Sequence, residues 1–576
     1  MSRVNFRGNK ATTSSNNGQG GAFMLGLASG GRVGHVSLTD VTVGGSTVAD
    51  GNVSQGQYGG GMIVNADSVS ITNSRFENNV AQNGNVGGLY ILGTLSSTVS
   101  VTNTSFTANS ATGSAGGLWI SNNGSSVVTL RSVFVLNNTA RRHAGLWVSG
   151  NVGLIDAREL LVTGNVANES VGGAGFDGNN GPQGVNISDS YFNNNTVTNG
   201  SIGGLSVTGQ LAPTRLMRVE VRSNIASKGT TNYAASGGAA FNNNASVHIV
   251  DGDISDNTSD FHIGAIQVSA SSSPFDPATG LPLATLPPTT NTFTVERTTI
   301  SGNATNPAGN IGFATIFVTT PGIYRFINST IAGNTSSGCG GGITADGFNP
   351  SSQTNAMQIQ VRNSTIARNT GLCQEGFSVG AYNPAAPSTP GAFNGSVTIE
   401  SSIIAGRSFG AMEPVADVPN GTALTVSNSL LERDFGGALN ATCGTSGVLC
   451  NLDAKLCSLA PNGGVTRTLA LLAGSPALNR GSNSLSLPRD QRNATRTQGA
   501  AVDMGAFEAL PGGNCTLDMD GIGGVQGAKV GLVLVRSMLG FDDSAAVAGT
   551  GISSSQWGAT KANLNANCGT AGSFAP

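Results

Sequence analysis

Charge is scarce in this chain. Asp, Glu, Lys and Arg make up only 10% of its 576 residues and nearly cancel, leaving a formal net charge of −3. A nucleic-acid partner needs clustered Lys and Arg to neutralise phosphates, so that class of partner is excluded. Long hydrophobic runs are also missing, and none reaches the roughly 18 residues of a membrane-spanning helix. The N-terminal MSRVNFRGNKATTSS lacks the apolar core of a signal peptide. No cysteine precedes Cys339, and the seven that the chain holds never form the double CxxC spacing of a zinc site. Cys515 and Cys568 bracket the last segment, Cys443, Cys450 and Cys457 crowd another, and Cys373 lies earlier. Disulfides in an exported protein account for them better than a metal does, with the pairing left open. Lys and Glu, which favour helices, are few. By contrast, 84 glycines and abundant Asn, Ser and Thr between short apolar runs fit turn-rich all-β structure.

What is present is a repeat. SVSITNSRFENNVAQNGNVGGLYILG is followed 30 residues later by TVSVTNTSFTANSATGSAGGLWIS. Each copy alternates with period two, as strands do, and self-similarity at a fixed period marks a solenoid. One Asn recurs at Asn9, Asn79, Asn109, Asn138, Asn165, Asn195, Asn224, Asn257, Asn303, Asn334 and Asn369. Three residues before each stands an apolar residue: Phe6, Phe76, Phe106, Val135, Val162, Phe192, Val221, Ile254, Ile300, Ile331 and Ile366. The gap between Asn9 and Asn79 reads as holding one degenerate coil around Val43. The long step from Asn257 to Asn303 contains the Pro-rich SSSPFDPATGLPLATLPPTT, a loop insertion at about 271–291.

A coil of about 30 residues holds three short strands and three turns, and advances one strand spacing, about 4.8 Å. The expected fold is therefore all-β, a right-handed parallel β-helix of the pectate-lyase-like kind with about thirteen or fourteen coils over residues 1–435. A small helical module at the C-terminus would complete it. The apolar position faces inward and stacks on its equivalents. The Asn is expected at a bend, in left-handed dihedrals, bonding neighbouring backbone and the next Asn. Gly-Gly permits the tight bend that opens the next strand. Because Phe6-Arg-Gly-Asn9 already matches the repeat, Met1 reads as lying inside a coil, with a natural start and an export signal expected upstream.

Three resemblances attach to these residues. The pairs Phe76-Glu-Asn-Asn79 with Gly87-Gly88-Leu89, and Phe106-Thr-Ala-Asn109 with Gly116-Gly117-Leu118, resemble the repeats of polymorphic outer-membrane proteins, which implies a surface-exposed β-helical passenger. The family's C-terminal run of barrel-forming amphipathic strands is missing here. Residues 436–510 resemble the choice-of-anchor Q segment of bacterial exported β-helix proteins. The shared marks are Asn462-Gly463-Gly464, Thr466-x-Thr468, Gly474-Ser475-Pro476-Ala477, Asp490-Gln491-Arg492 and Asp503-Met504-Gly505-Ala506-Phe507-Glu508, with Asn479 and Asn493 as departures. Physically this segment reads as a polar closing cap, in which Asp490, Arg492, Asp503 and Glu508 form a salt-bridged lid. Residues 511–576 resemble a degenerate dockerin-like module. There Asp518 and Asp520 supply the first two oxygen ligands of a calcium loop, but Ile522, Gln526 and Lys529 fall where further ligands belong. The reading assigns no cofactor.

Two outward surfaces are candidates for function. Tyr90, Trp119 and Trp147 follow Gly-Gly-Leu or its equivalent on successive coils, an exposed aromatic strip suited to a glycan or a surface protein, with Arg141, Arg142 and His143 nearby. The competing account is a ladder of rings that stack on one another. The second surface carries Asp189, Arg218, Asp251 and Arg297 six residues before the Asn, and Glu220 and Asp253 four before it. Carboxylates beside Arg are what a polysaccharide lyase or glycoside hydrolase uses. Signs that alternate coil by coil also describe a solvated salt-bridge ladder. The reading preferred on these grounds is a non-catalytic, extracellular or cell-surface scaffold, adhesive or partner-binding. An enzyme acting from the Asp189–Arg297 face is the alternative.

Overall fold

The structure, a computed structural model, describes residues 1–567 apart from 13–19, 27–31, 122–125, 151, 179–183, 210–211, 228–235, 243, 261–262, 270–290, 306–313, 320, 338–339, 347–356, 372–375, 381–392, 394, 407–415, 419–421, 433–434, 438, 440–441, 473 and 510–526. The chain is a parallel β-solenoid. Successive coils pair in register, Phe76 with Phe106, Phe106 with Val135 and Val135 with Val162. Among the described residues the stack runs from Asn5–Phe6, paired with Thr42–Val43, to Leu449–Cys450, paired with Leu430–Leu431. A ten-stranded face of two-residue strands gives about ten complete turns. The insertion lies outside the described residues except at its edge.

One coil shows how sequence becomes shape. After Gly-Gly comes a short strand, Leu118–Ser121 or Ala174–Asp177, with alternate residues inward. A longer strand follows, Gly184–Asn193 for example, and bends at Asp189, whose φ is 50°. Beyond the bend Phe192 points inward, and beyond Asn195 the two-residue strand Thr196–Val197 closes the coil. The inward stack from Val43 through Phe76, Phe106, Val135 and onward is buried at every step.

The Asn column is a continuous hydrogen-bonded ladder. Asn109 Nδ2 donates to Asn138 Oδ1 at 3.0 Å and to the Phe76 carbonyl at 2.8 Å, while the Asn109 backbone N–H donates to that same Oδ1 at 2.9 Å. The pattern repeats through Asn165, Asn195, Asn224, Asn257, Asn303, Asn334 and Asn369. The left-handed residue is the one before the ladder Asn, as at Asn78 (φ 56°), Ala108 (φ 54°) and Asn137 (φ 55°). That corrects the expectation that the ladder Asn itself carries the bend. The apparent gap after Asn9 is also filled. Asn52 accepts from Asn9 and donates to Asn79, while Val43 holds the inward position. A 3-10 turn at Val48–Asp50 separates these two marks, so their spacing hides them. At the Gly-Gly bend coils approach closely: a Cβ on Gly88 would lie 2.3 Å from the Gly117 carbonyl oxygen.

The segment after the coils closes the flank of the stack rather than its end. Leu469, Leu471, Ala477, Met504 and Phe507 pack on Ala332, Ala367, Ile403, Ala405 and Leu430, which are outward residues of successive coils. Gln491, fully buried, donates to Thr299, Thr466 and the Arg467 carbonyl, and accepts from the Thr330 hydroxyl at 2.6 Å. The lid's charges pair as the sequence suggests, Arg492 with Asp490 at 2.6 Å, and Arg492 also lies over the Phe507 ring. A further partner is Arg496, 1% exposed, which donates to the Gly505 carbonyl and approaches Glu508 at 3.9 Å. Burial pushes the Glu508 carboxyl up to about 7 and raises that of Asp503. Cys443 and Cys450 form a disulfide. Three C-terminal helices, Gly527–Met538, Asp543–Val547 and Ser554–Asn567, pack around Trp557. Asp518, Asp520, Cys515 and Cys568 lie outside the described residues. No helix among the described residues is long and apolar enough to cross a membrane.

Candidate functional site

The charged candidates occupy a bend, and the bend explains their spacing. Residues six before the ladder Asn take left-handed dihedrals in coil after coil: Asp189 (φ 50°), Arg218 (φ 53°), Asp251 (φ 54°) and Arg297 (φ 46°). In other coils the same place is Asn73, Asn103, Asn328 or Asn363, a residue type that, glycine apart, adopts this conformation most readily. At the bend the side chains point outward and meet those of the adjacent coils. Arg218 donates to both oxygens of Asp189, at 2.5 and 2.9 Å, with Arg158 on the other side at 3.4 Å. Arg297 donates to both oxygens of Asp251, at 2.7 and 3.2 Å, and also pairs with Glu296. His248 joins here at 3.2 Å from Glu296.

Electrostatics follow from these pairs. The hydrogen bond from Arg218 holds the Asp189 carboxyl below its ordinary value, and the same bond raises the guanidinium. The bond from His248, aided by Arg297, lowers Glu296, and the bond to Asp251 raises Arg297. Each group is thus held more firmly in its charged form.

Four before the Asn, Glu220 and Asp253 are register partners, as alternation predicts, but their surroundings differ. Asp253 takes Arg467 of the flanking segment at 3.3 Å, and Arg467 also donates to Ser301. Among the described residues Glu220 takes the Asn193 amide alone, at 2.7 Å. Arg222 pairs with Asp256 at 2.9 Å. Arg467 lies 214 residues from Asp253, so nothing in the repeat announces that contact.

The aromatic strip is longer and less exposed than the sequence implies. Tyr90, Trp119 and Trp147 are in register, and their rings lie 4.8 and 4.3 Å apart. Tyr58 stacks on Tyr90 at 5.0 Å and His143 on Trp147 at 4.1 Å, closing the two ends. Tyr90 is only 7% exposed and packs with Met62, Val64 and Val86; Trp119 and Trp147 are half-buried. Tyr58 stacks on Tyr90, and Trp119, Trp147 and His143 stack on one another, while Tyr90 meets Trp119 at a tilt of 53°, so the strip is a packed column of rings with accessible edges and less open than expected. Its polar ends are satisfied: Trp119 Nε1 donates to Ser149 at 2.9 Å and Trp147 Nε1 to Asp177 at 2.8 Å. The column stops where Gly175 succeeds Trp147, since a Cβ there would stand 3.0 Å from the His143 ring. Burial drives His143 down to about 3, so its ring is neutral, and pushes the Asp177 carboxyl up to about 6. A signal for the end rings was present. Tyr58, Val86, Ala115 and His143 are successive bridge partners just before the Gly-Gly position, and an alignment of the copies on that position exposes them.

No protein-family model matches the chain, and no curated protein does. Among solved structures, the crystal structure of pectate lyase Pel9A aligns with 83% of this chain and 97% of its own, at 14% identity and a TM-score of 0.34. No chemistry is transferred from that likeness.

Proposed function

We propose that the protein is a non-catalytic scaffold acting outside the cell, secreted or at a cell surface, where it presents binding faces to a partner. The observation that carries this reading is the pairing on the charged face. A general acid needs a carboxyl raised toward neutrality and a guanidinium base needs its proton loosened, whereas here Asp189 and Glu296 are lowered and Arg218 and Arg297 raised. The Cys443–Cys450 disulfide and the low charge fit an oxidising, extracellular setting. The resemblance of 436–510 to segments of exported β-helix proteins points the same way.

The second reading, a polysaccharide lyase or glycoside hydrolase on the Asp189–Arg297 face, is favoured by the convergence of His248, Glu296, Arg297 and Asp251. Incubation of the full chain with acidic and neutral polysaccharides separates the two. The scaffold gives neither unsaturated products nor new reducing ends above a blank. Turnover that disappears in Asp251→Asn would replace the scaffold with the enzyme.

A further inference from the structure

The outward positions that flank the inward apolar column form one continuous sheet face along the stack. From Thr299 to Leu430 this face is covered by the chain's own flanking segment. In the coils before Asp253 the same columns carry Phe134, Leu161, Tyr191 and Glu220, in direct register with one another and with Asp253. Leu136, two residues after Phe134, widens the strip. Nothing among the described residues covers these side chains; Phe134, Leu136 and Leu161 are partly exposed and Tyr191 is 48% exposed. The strip from Phe134 to Glu220 spans three coil steps, about 14 Å.

The covered half shows what this face binds. It takes an extended polypeptide whose Leu469 and Leu471 sit on apolar outward residues, and whose Arg467 reaches the carboxylate of Asp253. The uncovered half carries the same kinds of group in the opposite order along the stack: apolar rungs lead up to a carboxylate, Glu220, that has an amide partner in Asn193 but no paired cation among the described residues.

We propose that the Phe134–Leu161–Tyr191–Glu220 face docks an extended segment of a partner protein, apolar over about three residues and carrying one basic side chain that pairs with Glu220. The proposal rests on the scaffold reading, whose own test is the polysaccharide panel, so the two fail separately. Aliphatic Leu136 and Leu161 beside the rings, and a face already used for polypeptide, favour a peptide over a sugar chain.

The probe is a labelled peptide of the chain's own flanking sequence, VTRTLALL (465–472), titrated into the full-length protein and followed by fluorescence anisotropy. Saturable binding is expected, weakened about tenfold in Tyr191→Ala. Glu220→Gln should weaken it too, as should replacing the peptide's Arg by Gln, and the two changes together should do no more than either alone. Trp119→Ala, on another face, should leave the affinity unchanged. Absence of saturation at millimolar peptide would overturn the proposal. So would binding indifferent to Tyr191→Ala and Glu220→Gln, which places the peptide elsewhere, for instance on the face of the displaced native segment. Direct binding of a labelled neutral or acidic oligosaccharide that is lost in Tyr191→Ala, with no binding of the peptide, would assign the strip to a glycan instead.

Discussion

The single residues that matter most here are polar and buried. From Asn52 to Asn334 each ladder Asn is fully enclosed yet bonds the coils on both sides, so the column adds about 1 kcal/mol net per bond. His143 is the contrasting case. It is 7% exposed, its Nδ1 has no hydrogen-bond partner, and its faces are used for stacking. With its folded-state value lowered to about 3, an unfolded chain takes up a proton near pH 6.5 that the folded chain refuses. The stability linked to this residue is therefore complete above about pH 6.5 and is lost as pH falls toward 3. His143→Phe keeps a ring on Trp147, deletes the orphaned nitrogen and removes the titration. Its stability relative to wild type, from chemical denaturation, should improve by about 2 kcal/mol more at pH 5 than at pH 8. The neighbouring Asp177, raised to about 6, acts with the opposite sign and is common to both proteins. A difference independent of pH would show that His143 is not held neutral.

At the scale of elements, the strands were readable and the partners of their outward residues were not. Period-two alternation, the Phe and Asn columns and the Gly-Gly bends all express local geometry that repeats every coil. The sequence therefore displays the inward stack, and also the register of Tyr90 with Trp119 and of Glu220 with Asp253. Asn52 was hidden because an extra 3-10 turn displaces it from Val43. Arg467 against Asp253 was hidden for a different reason: a chain that leaves the repeat can return to any coil, and only packing decides which. The flanking segment depends on such contacts, and Gln491 is its pivot. Gln491→Ala removes, in a fully buried setting, an amide shared among Thr299, Thr466 and the Arg467 carbonyl and the acceptor of the Thr330 hydroxyl, while Thr299 and Thr466 still donate to the Arg467 and Arg297 carbonyls. A loss of about 2–3 kcal/mol is expected. Limited proteolysis should then cut within 456–509 while the coils resist. Cleavage that begins in the coils would mean that the segment is not the weaker unit.

For the whole molecule, each coil touches only its neighbours apart from the flanking segment, so stability is nearly a sum over rungs. That makes a specific deletion permissible. Removing residues 109–137 takes out 29 residues, one full period, and joins Ala108 to Asn138. Asn138 then succeeds Asn79 in the ladder, Val162 follows Phe106 in the inward stack, and Trp147 lies next to Tyr90 in the aromatic column. Val86 would meet His143 at the turn, as Ala115 does now. One ion pair is lost, the partly exposed Arg131–Asp156, while the partners of Arg158, Asp189 and Arg218 all lie beyond the deletion. The shortened chain should keep its β-rich circular dichroism, unfold at nearly the same denaturant midpoint, and lose a small part of the denaturant dependence in proportion to the surface removed. A deletion of 28 residues, 110–137, breaks the period by one. It leaves one extra residue between the ladder Asn109 and the strand at Thr139–Ala140 and should lower the denaturant midpoint where the 29-residue deletion does not. Equal behaviour of the two deletions would mean that register between coils is not what holds the solenoid together.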